Sequence, residues 1–354
     1  MSAPFNRNGG LTLLPMPGFE PLAEQVKTEV ELRGRRDDEK ETPVDIVTPK
    51  FGLRASGEPF LRLGKSHVGE HDCVVLTSGP GTYEMLGQLY FLLSYLAGRR
   101  AERISVVSGY FPLSRSDKDE GSTEFALPPL IVRLMMSAAD GKLDRVIAVD
   151  LHAPQVVMSG RQGMITEVSL VRRIVLKAMT DALGLGYKIV LGRPDEGGKK
   201  RYKNPLSRIC GELNINPPMV NGDKERDDSR NSRVAGVFGD VDKVEGSVVI
   251  VIDDEVSTGG TIEHFAQSLK RDYGAAQVWC VATHGVLCDV APSRFMNPLC
   301  AVNRMYVTDT IPAHNRPALD PLISSGILHE VPWAKDLAWI VYRHHWGMDI
   351  RTLR

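Results

Sequence analysis

The chain alternates between short apolar runs and longer segments whose apolar positions have helical spacing. The short runs are rich in Val and Ile, residues that favour strands. Because they are apolar throughout rather than alternating with polar residues, they predict strands buried on both faces, as in parallel sheets. Six runs fit this description: ERISVVSGYF, DRVIAVDLHA, YKIVLGRPD, GSVVIVIDDE, AAQVWCVATHG and NRMYVTDTIP.

The longer segments predict helices. In IEHFAQSLKRDYG, the residues Ile262, Phe265 and Leu269 fall on one helical face, and Lys270 and Arg271 occupy the final turn. Three further segments have comparable spacing: MLGQLYFLLSYLAG, LPPLIVRLMMSAADG and VSLVRRIVLKAMTDALG. Strands that alternate with helices predict an α/β protein with mainly parallel sheets flanked by helices.

The order helix, glycine, strand recurs along the chain and predicts two similar halves. A length of 354 residues is sufficient for two domains. We expect a first domain over residues 1–170 and a second over 171–330. Residues 331–354 are expected to form a helical tail that packs on the first domain, and residues 27–64 are expected to be rich in hairpins.

Composition adds mainly exclusions. Lys and Arg total 43 against 44 Asp and Glu, which argues against a polybasic binder of nucleic acid or membranes. The five cysteines are scattered without a C-x-x-C pair, which suits a reducing compartment rather than a disulfide scaffold. No apolar run reaches the about 18 residues of a membrane span, and the beginning of the chain lacks a long apolar signal region. We expect a cytoplasmic protein.

The segment SVVIVIDDEVSTGGTIEHF is the most informative motif. An apolar strand ends in Asp253 and Asp254, and the loop Ser257-Thr258-Gly259-Gly260-Thr261 then leads into a helix. Glycines let the backbone approach an anion, and a helix N-terminus presents free N–H groups with a favourable dipole. The loop therefore predicts a phosphate site, and the two carboxylates predict contacts with sugar hydroxyls or a cation. The alternative is a plain strand-to-helix turn.

Three other polar segments are expected near this site. One loop contains Arg115 and Asp117, a second contains His152 and a third contains Asp195; each follows a predicted strand. Ligands of parallel sheets gather at the carboxyl ends of strands, so these loops should converge on one crevice. His152 and Asp195 are candidate ligands for Mg²⁺, or for Mn²⁺ given the imidazole, although His152 could equally be a capping or packed histidine.

The segment 221–228 is charged and contains a glycine, so we predict either a surface loop or a lid. A lid would bring Lys224 and Arg226 onto a transferring phosphoryl group. A P-loop is absent from the sequence, as is a convincing G-x-G-x-x-G after a strand. A bound nucleotide must therefore be held in another way.

These pieces together resemble the ribose-phosphate pyrophosphokinases. The resemblance extends from about Leu11 to Pro312 and rests on motifs in the family's order: VDLHAPQ, GRPDEGG, DKER, VIDDEVSTGGT and VATHG. It implies two phosphoribosyltransferase-like domains, the first on the ATP side and the second on the ribose phosphate side. It also implies transfer of the diphosphate of ATP to the 1-hydroxyl of ribose 5-phosphate, with Mg²⁺, and assembly into a homo-oligomer, often a hexamer.

The resemblance also implies roles for individual residues. Asp253, Asp254 and the loop from Ser257 to Thr261 would hold the sugar and its 5-phosphate. His152 and Asp195 would hold the metal, and Lys224 with Arg226 would stabilise the transition state. The nucleotide would be bound by Glu58, Arg115 and Asp117, with Glu58 in the segment that reads the adenine from a neighbouring subunit.

Several positions depart from the family pattern. The adenine-binding segment has Arg54 and Ser56 where an aromatic residue and an Asp are usual, and Ser116 stands in place of Gln. Ser257 replaces the acid that opens the phosphate loop, Glu225 replaces a basic residue, and the family's Asn-rich loop is SGPGTYEML. These changes leave the nucleotide preference, the sugar acceptor and allosteric control open.

Three other functions compete with this one. The same chemistry could act on a larger 5-substituted ribose such as ADP-ribose, given Ser257 and the altered loops. A non-catalytic regulatory homologue should have lost Lys224, Arg226, His152 or Asp195, and all four are present. A phosphoribosyltransferase would need a single such domain with a base-reading hood, which the doubled pattern disfavours.

Overall fold

The computed structural model describes residues 9–33, 40–64, 67–118, 123–194, 198–226 and 232–350. The chain divides into two compact units. Unit 1 comprises the described residues of Met1–Val168 and Trp333–Arg354, and unit 2 comprises Ser169–Pro332.

Unit 1 is built on a six-stranded sheet in which every neighbouring pair of strands is parallel. Its strands, with the separate hairpin β3–β4, are β1 (Leu11–Pro15), β2 (Val44–Ile46), β3 (Pro49–Leu53), β4 (Pro59–Leu63), β5 (Asp72–Thr77), β6 (Arg103–Ser108), β7 (Leu143–Val149) and β8 (Ile165–Val168). The sheet order is β2-β1-β5-β6-β7-β8. Strands β1 and β5 are buried along their whole length, although neither was among the predicted strands; β6 and β7, which were predicted, are buried except at Arg103, Asp144 and Arg145.

Four helices belong to unit 1. They are α1 (Glu20–Arg33), α2 (Tyr83–Gly98), α3 (Pro128–Ala138) and, from the end of the chain, α9 (Ala334–His345). Helix α9 packs against α1. Among the described residues of 27–64, the hairpin prediction is correct only for β3–β4, because α1 continues to Arg33 through a mixed-charge stretch that is also compatible with an exposed helical face.

Unit 2 has a seven-stranded sheet in the order β11-β10-β9-β12-β13-β14-β15. Its strands are β9 (Ile189–Arg193), β10 (Met219–Arg226), β11 (Ser232–Gly239), β12 (Val248–Val256), β13 (Gln277–Gly285), β14 (Arg304–Thr308) and β15 (Leu328–Val331). Its helices are α4 (Val171–Gly184), α5 (Gly198–Leu213), α6 (Gly260–Arg271), α7 (Ala291–Met296) and α8 (Asp320–Ser324). Only β11 runs antiparallel to its neighbour among the strand pairs described for this sheet.

The predicted α/β class with parallel sheets flanked by helices is confirmed. Each of the six apolar runs contains a strand, and each of the four segments with helical spacing contains a helix. In α6, Ile262, Phe265 and Leu269 are buried on one face, as the spacing predicts. Within the described ranges, no helix combines the length and the apolar character that a membrane crossing needs.

The two units repeat one topology. In unit 1, β1 leads through α1 to its neighbour β2, and β5 then starts on the other side of β1. In unit 2, β9 leads through α5 to its neighbour β10, and β12 then starts on the other side of β9. Each sheet therefore has a topological switch point, where crevices for ligands form beyond the carboxyl ends of the strands. In unit 2 this point lies between β9 and β12.

Candidate functional site

The carboxyl end of β12 carries the two predicted acids. Asp253 is half-buried and Asp254 is buried, and both still belong to the strand, which continues to Val256. The amide of Asp254 donates to Oδ1 of Asp253 at 2.9 Å, so the Asp253 side chain turns back over the strand end. Strand β12 borders β9 at the switch point. The two carboxylates therefore lie beside the crevice in which a polar ligand of unit 2 would bind.

The loop after β12 leads directly into the N-terminus of α6. Gly259 adopts a φ of +79° and is the N-cap residue, so it has no side chain with which to cap the helix. A Cβ atom at this position would lie 2.3 Å from Cζ of Phe295, a fully buried ring. Glycine is therefore required here both by the left-handed backbone and by the close approach of α7. The first turn of α6 therefore has no side-chain cap, and such a helix N-terminus is the kind of element that binds anions.

The segment that follows β13 holds this loop in place. Leu287 N donates to Val256 O at 2.8 Å, and Cys288 N donates to Ser257 O at 3.3 Å. The Ser257 hydroxyl also lies 3.3 Å from Sγ of Cys288. The loop from Ser257 to Thr261 therefore has its backbone fixed by a neighbouring strand end, while Thr258 is exposed and Thr261 is half-buried.

An ion pair beside this loop was missed by the sequence analysis. Glu263, in the first turn of α6, accepts from Nη1 of Arg294 at 2.5 Å, and both side chains are largely buried. The acid in the first helical turn is visible in the sequence. Its partner is 31 residues away on α7, and no local pattern connects the two.

The other strand at the switch point of unit 2 ends in Arg193, which is buried. The predicted metal ligand Asp195 lies outside the described residues, as do Glu196 and Gly197. Helix α5 starts at Gly198, so the segment that contains Asp195 connects the end of β9 to the start of α5.

Within the segment 221–228, residues 221–226 are a strand rather than the predicted loop, Asp227 and Asp228 lie outside the described residues, and the lid stays a prediction. Residues 221–226 form part of β10, which pairs with β9 on one side and with the antiparallel β11 on the other. Lys224 is opposite Val234 and Arg226 is opposite Ser232, after an irregularity between Asp223 and Lys224. The charged residues therefore lie on the far part of a two-stranded ribbon. The sequence did not reveal it because DKER has little of the apolar or β-branched character that predicts strands.

In unit 1, the loop after β6 carries Arg115, which is exposed, and Asp117, which is half-buried. Asp117 accepts from Nε2 of Gln155 at 3.3 Å. Gln155 is in a short 3₁₀ helix after β7, three residues beyond the exposed His152. The Asp117–Gln155 contact therefore joins the loops that contain Arg115 and His152 at the carboxyl ends of adjacent strands, and convergence with the Asp195 loop on one crevice stays a prediction.

Glu58 is in a different part of unit 1, the turn of the β3–β4 hairpin. It is exposed, its carbonyl accepts from Arg54 N at 2.9 Å, and its carboxylate accepts from the Ser56 hydroxyl at 2.7 Å. Phe60, in β4, has the Arg54 guanidinium 5.7 Å from its ring centre. The turn thus brings Arg54 and Ser56, two positions that depart from the family pattern, close to Glu58, which is retained.

The described residues contain no group of three or more His, Cys, Asp and Glu side chains arranged to hold an ion. Asp195 lies outside the described residues. His152 offers an imidazole nitrogen and Asp195 a carboxylate, and both donor types suit Mg²⁺ or Mn²⁺ when phosphate oxygens and water complete the shell.

Comparisons with known proteins agree with this geometry. A family model described as phosphoribosyl synthetase-associated domain matches residues 229–320. A ribose-phosphate pyrophosphokinase of Hyphomonas neptunium is 30% identical, over 73% of this chain and 77% of its own length. That of Caldanaerobacter subterraneus subsp. tengcongensis is 28% identical, over 87% and 90%. The crystal structure of phosphoribosylpyrophosphate synthetase from Mycobacterium smegmatis matches with a TM-score of 0.75 and 25% identity, covering 96% of this chain and 99% of that one.

Proposed function

The chain belongs to the ribose-phosphate pyrophosphokinase family, and from this premise we propose that it transfers the diphosphate of ATP to ribose 5-phosphate. The products are phosphoribosyl diphosphate and AMP. The observation that carries the proposal is the strand end of Asp253 and Asp254, followed by the uncapped N-terminus of α6, at the switch point of unit 2.

Binding of the sugar is assigned to this element. The 5-phosphate would accept from the first-turn amides of α6 and from the hydroxyls of Ser257, Thr258 and Thr261, with Gly259 and Gly260 permitting close approach. The carboxylates of Asp253 and Asp254 would accept from the ribose hydroxyls. Two acids beside a phosphate would repel it, so they are better used for the sugar than for the anion.

In the reaction, the 1-hydroxyl oxygen of the sugar attacks the β-phosphorus of ATP. The bond between that phosphorus and the oxygen that bridges it to the α-phosphorus breaks, and this oxygen leaves as part of AMP. The hydroxyl proton is released. Such a transfer depends mainly on alignment and on stabilisation of the charge that develops on the phosphoryl oxygens. Lys224 and Arg226 are the side chains proposed for that stabilisation, and the strand ribbon of β10 and β11 supports them at the level of the backbone.

The nucleotide is assigned to unit 1. Arg115 would contact the ATP phosphates, Asp117 and Glu58 would bind the nucleoside, and the exposure of Arg115 and Glu58 is compatible with these roles. His152 and Asp195 are proposed to hold Mg²⁺, or Mn²⁺ in its place. When bound, the ion neutralises charge on the phosphates and orients them. Assembly into a homo-oligomer and a cytoplasmic location remain predictions.

The test is release of AMP from ATP by the purified protein with Mg²⁺, in the presence and absence of ribose 5-phosphate. We expect AMP to form only with the sugar and only with the metal. The variant Lys224→Ala should lower kcat about 100-fold or more, as removal of a transition-state charge does. The matched control is Lys243→Ala, an exposed lysine of unit 2 paired with Asp242, which should leave kcat unchanged.

Two results would contradict the proposal. Absence of AMP from metal-replete protein would exclude the reaction. Preferential use of ADP-ribose in an acceptor panel would keep the chemistry but show that the acceptor is a larger ribosyl phosphate.

A further inference from the structure

The Arg294–Glu263 ion pair lies directly against the loop assigned to the 5-phosphate. The amide of Glu263 donates to the carbonyl of Gly259 at 2.9 Å, so this acid belongs to the first turn of α6. The Arg294 stem packs on the same loop, with its Cδ 3.4 Å from where a Cβ of Gly259 would be. The pair therefore touches the loop from two sides.

The charge of Glu263 opposes the function of this helix end. An acid in a first turn interacts favourably with the helix dipole, but it repels an anion that binds the same amides. Its side chain is only 12% exposed, so water screens the carboxylate poorly. A helix end that is to receive a phosphate needs this carboxylate to be neutralised.

Arg294 supplies that neutralisation at short range. Nη1 meets the carboxylate at 2.5 Å, and Nε is buried without a hydrogen-bond partner among the described residues. The next residue, Phe295, is the ring that lies beneath Gly259. The same short helix α7 thus fixes the loop conformation and delivers the compensating charge.

We propose that Arg294 is a positioning residue that makes the α6 end competent for phosphate by cancelling the charge of Glu263 and bracing the Gly259 loop. This inference rests on the proposed function for the identity of the ligand, ribose 5-phosphate. It assigns a role to two residues that contact neither the substrate nor the reacting atoms.

The role has an electrostatic signature that a purely structural brace lacks. Removal of Arg294 leaves an uncompensated acid beside the anion, whereas removal of the Glu263 charge leaves an uncompensated base. The two single variants should therefore change anion affinity in opposite directions, and the double variant should lie close to the wild type. A structural brace would be weakened by both variants in the same direction.

The experiment is isothermal titration of the full chain with ribose 5-phosphate and, separately, with inorganic phosphate. At low salt, Arg294→Met should raise Kd about tenfold, Glu263→Gln should lower Kd about twofold, and the double variant should be within about twofold of wild type. The effects should shrink at about 0.5 M salt. Arg294→Lys should recover most of the affinity, and KM for ATP should stay within about twofold throughout.

The matched control is the pair Arg271 and Asp272 at the other end of α6, which is exposed. Arg271→Met should leave both Kd values unchanged. Normal binding by Arg294→Met, or equal weakening by both single variants, would overturn the proposal. Because phosphate binding is measured without turnover, a lack of AMP formation with these salt-dependent affinities intact would contradict the proposed function alone.

Discussion

The loop between β5 and α2 in unit 1 corresponds in topology to the loop between β12 and α6 in unit 2. Both follow the second strand of a switch point, and both precede a helix with an acid in its first turn, Glu84 and Glu263 respectively. The N-termini differ. Thr82 caps α2 by accepting from Met85 N at 3.2 Å, whereas Gly259 at the start of α6 has no side chain to do so.

The charges around the two loops differ as well. A cleft of about 340 Å³ lies over the unit 1 loop, and its described lining contains Glu84 and Gln88 but no Lys or Arg. Glu84 accepts from Gln88 Nε2 at 3.1 Å, a neutral partner that cannot cancel its charge. The shared topology places a helix end at a crevice in both units, and under our proposal capping and a compensating base determine which of the two receives an anion.

Unit 1 also contains a buried cluster of charged side chains. Asp72 at the start of β5 is fully buried and accepts from Arg103 Nη2 at 2.5 Å and from His345 Nδ1 at 2.7 Å. His345 and its neighbour His344 belong to α9, so this cluster attaches the terminal helix to the sheet of unit 1. Burial raises the pKa of Asp72, but the hydrogen bonds from His345 and Arg103 outweigh it, and the net effect lowers the pKa below its ordinary value.

The largest expected effect is on the pH dependence of the stability of unit 1. Burial, with the charge of Arg103, lowers the pKa of His344 to about 4, against the attraction of Asp72 and Asp144. Its ordinary value is 6.5, so below that pH the unfolded chain binds a proton that the folded chain does not. The free energy of unfolding should therefore fall between about pH 6.5 and 4, by about 3 kcal/mol from this residue.

Urea unfolding of wild type and His344→Gln at pH 7 and pH 4.5 measures this effect. The variant should lose much of the pH dependence, because glutamine has no proton to gain. His264→Gln, at an exposed position of α6, is the control and should behave as the wild type does. An unaltered pH dependence of stability in His344→Gln would show that His344 does not set the pH dependence of unit 1.

The next effect tests the two loops through their glycines. Gly259→Ala forces a left-handed alanine against Phe295, so we expect kcat/KM for ribose 5-phosphate to fall about 100-fold. Gly81 has a φ of +86°, and a Cβ atom there would lie 3.0 Å from the side chains of Pro112 and Leu113. Gly81→Ala should therefore cost about 1 kcal/mol of stability and leave KM for ribose 5-phosphate within about twofold. Steady-state kinetics with both variants check this, and similar losses in both would remove the functional difference between the loops.

The smallest effect is predicted for the acid of unit 1. Glu84→Gln should change Kd for inorganic phosphate less than twofold, because the capped α2 end without a base is not an anion site. Titration with phosphate, compared with Glu263→Gln, is the measurement. A gain in phosphate affinity on removal of the Glu84 charge would show that this loop also binds anions.

Local sequence patterns were sufficient for much of the fold. The strands and helices follow from apolar runs and helical spacing, because neighbouring residues determine which faces can be buried. The DDEVSTGGT element was recognisable for the same reason: its acids, glycines and hydroxyls are contiguous, so strand, loop and helix N-terminus can be inferred together. The ribbon at 221–226 was not recognisable, since its pairing with β11 compensates for poor intrinsic strand propensity.

The sequence by itself determined the α/β class, six of the strands and four of the helices, and it predicted a phosphate site in the loop from Ser257 to Thr261. Only the tertiary structure decided which charges meet. Glu263 is 31 residues from Arg294, and Asp72 is 273 residues from His345. Such pairs depend on how helices α7 and α9 pack, and a contact of that kind leaves no periodicity along the chain.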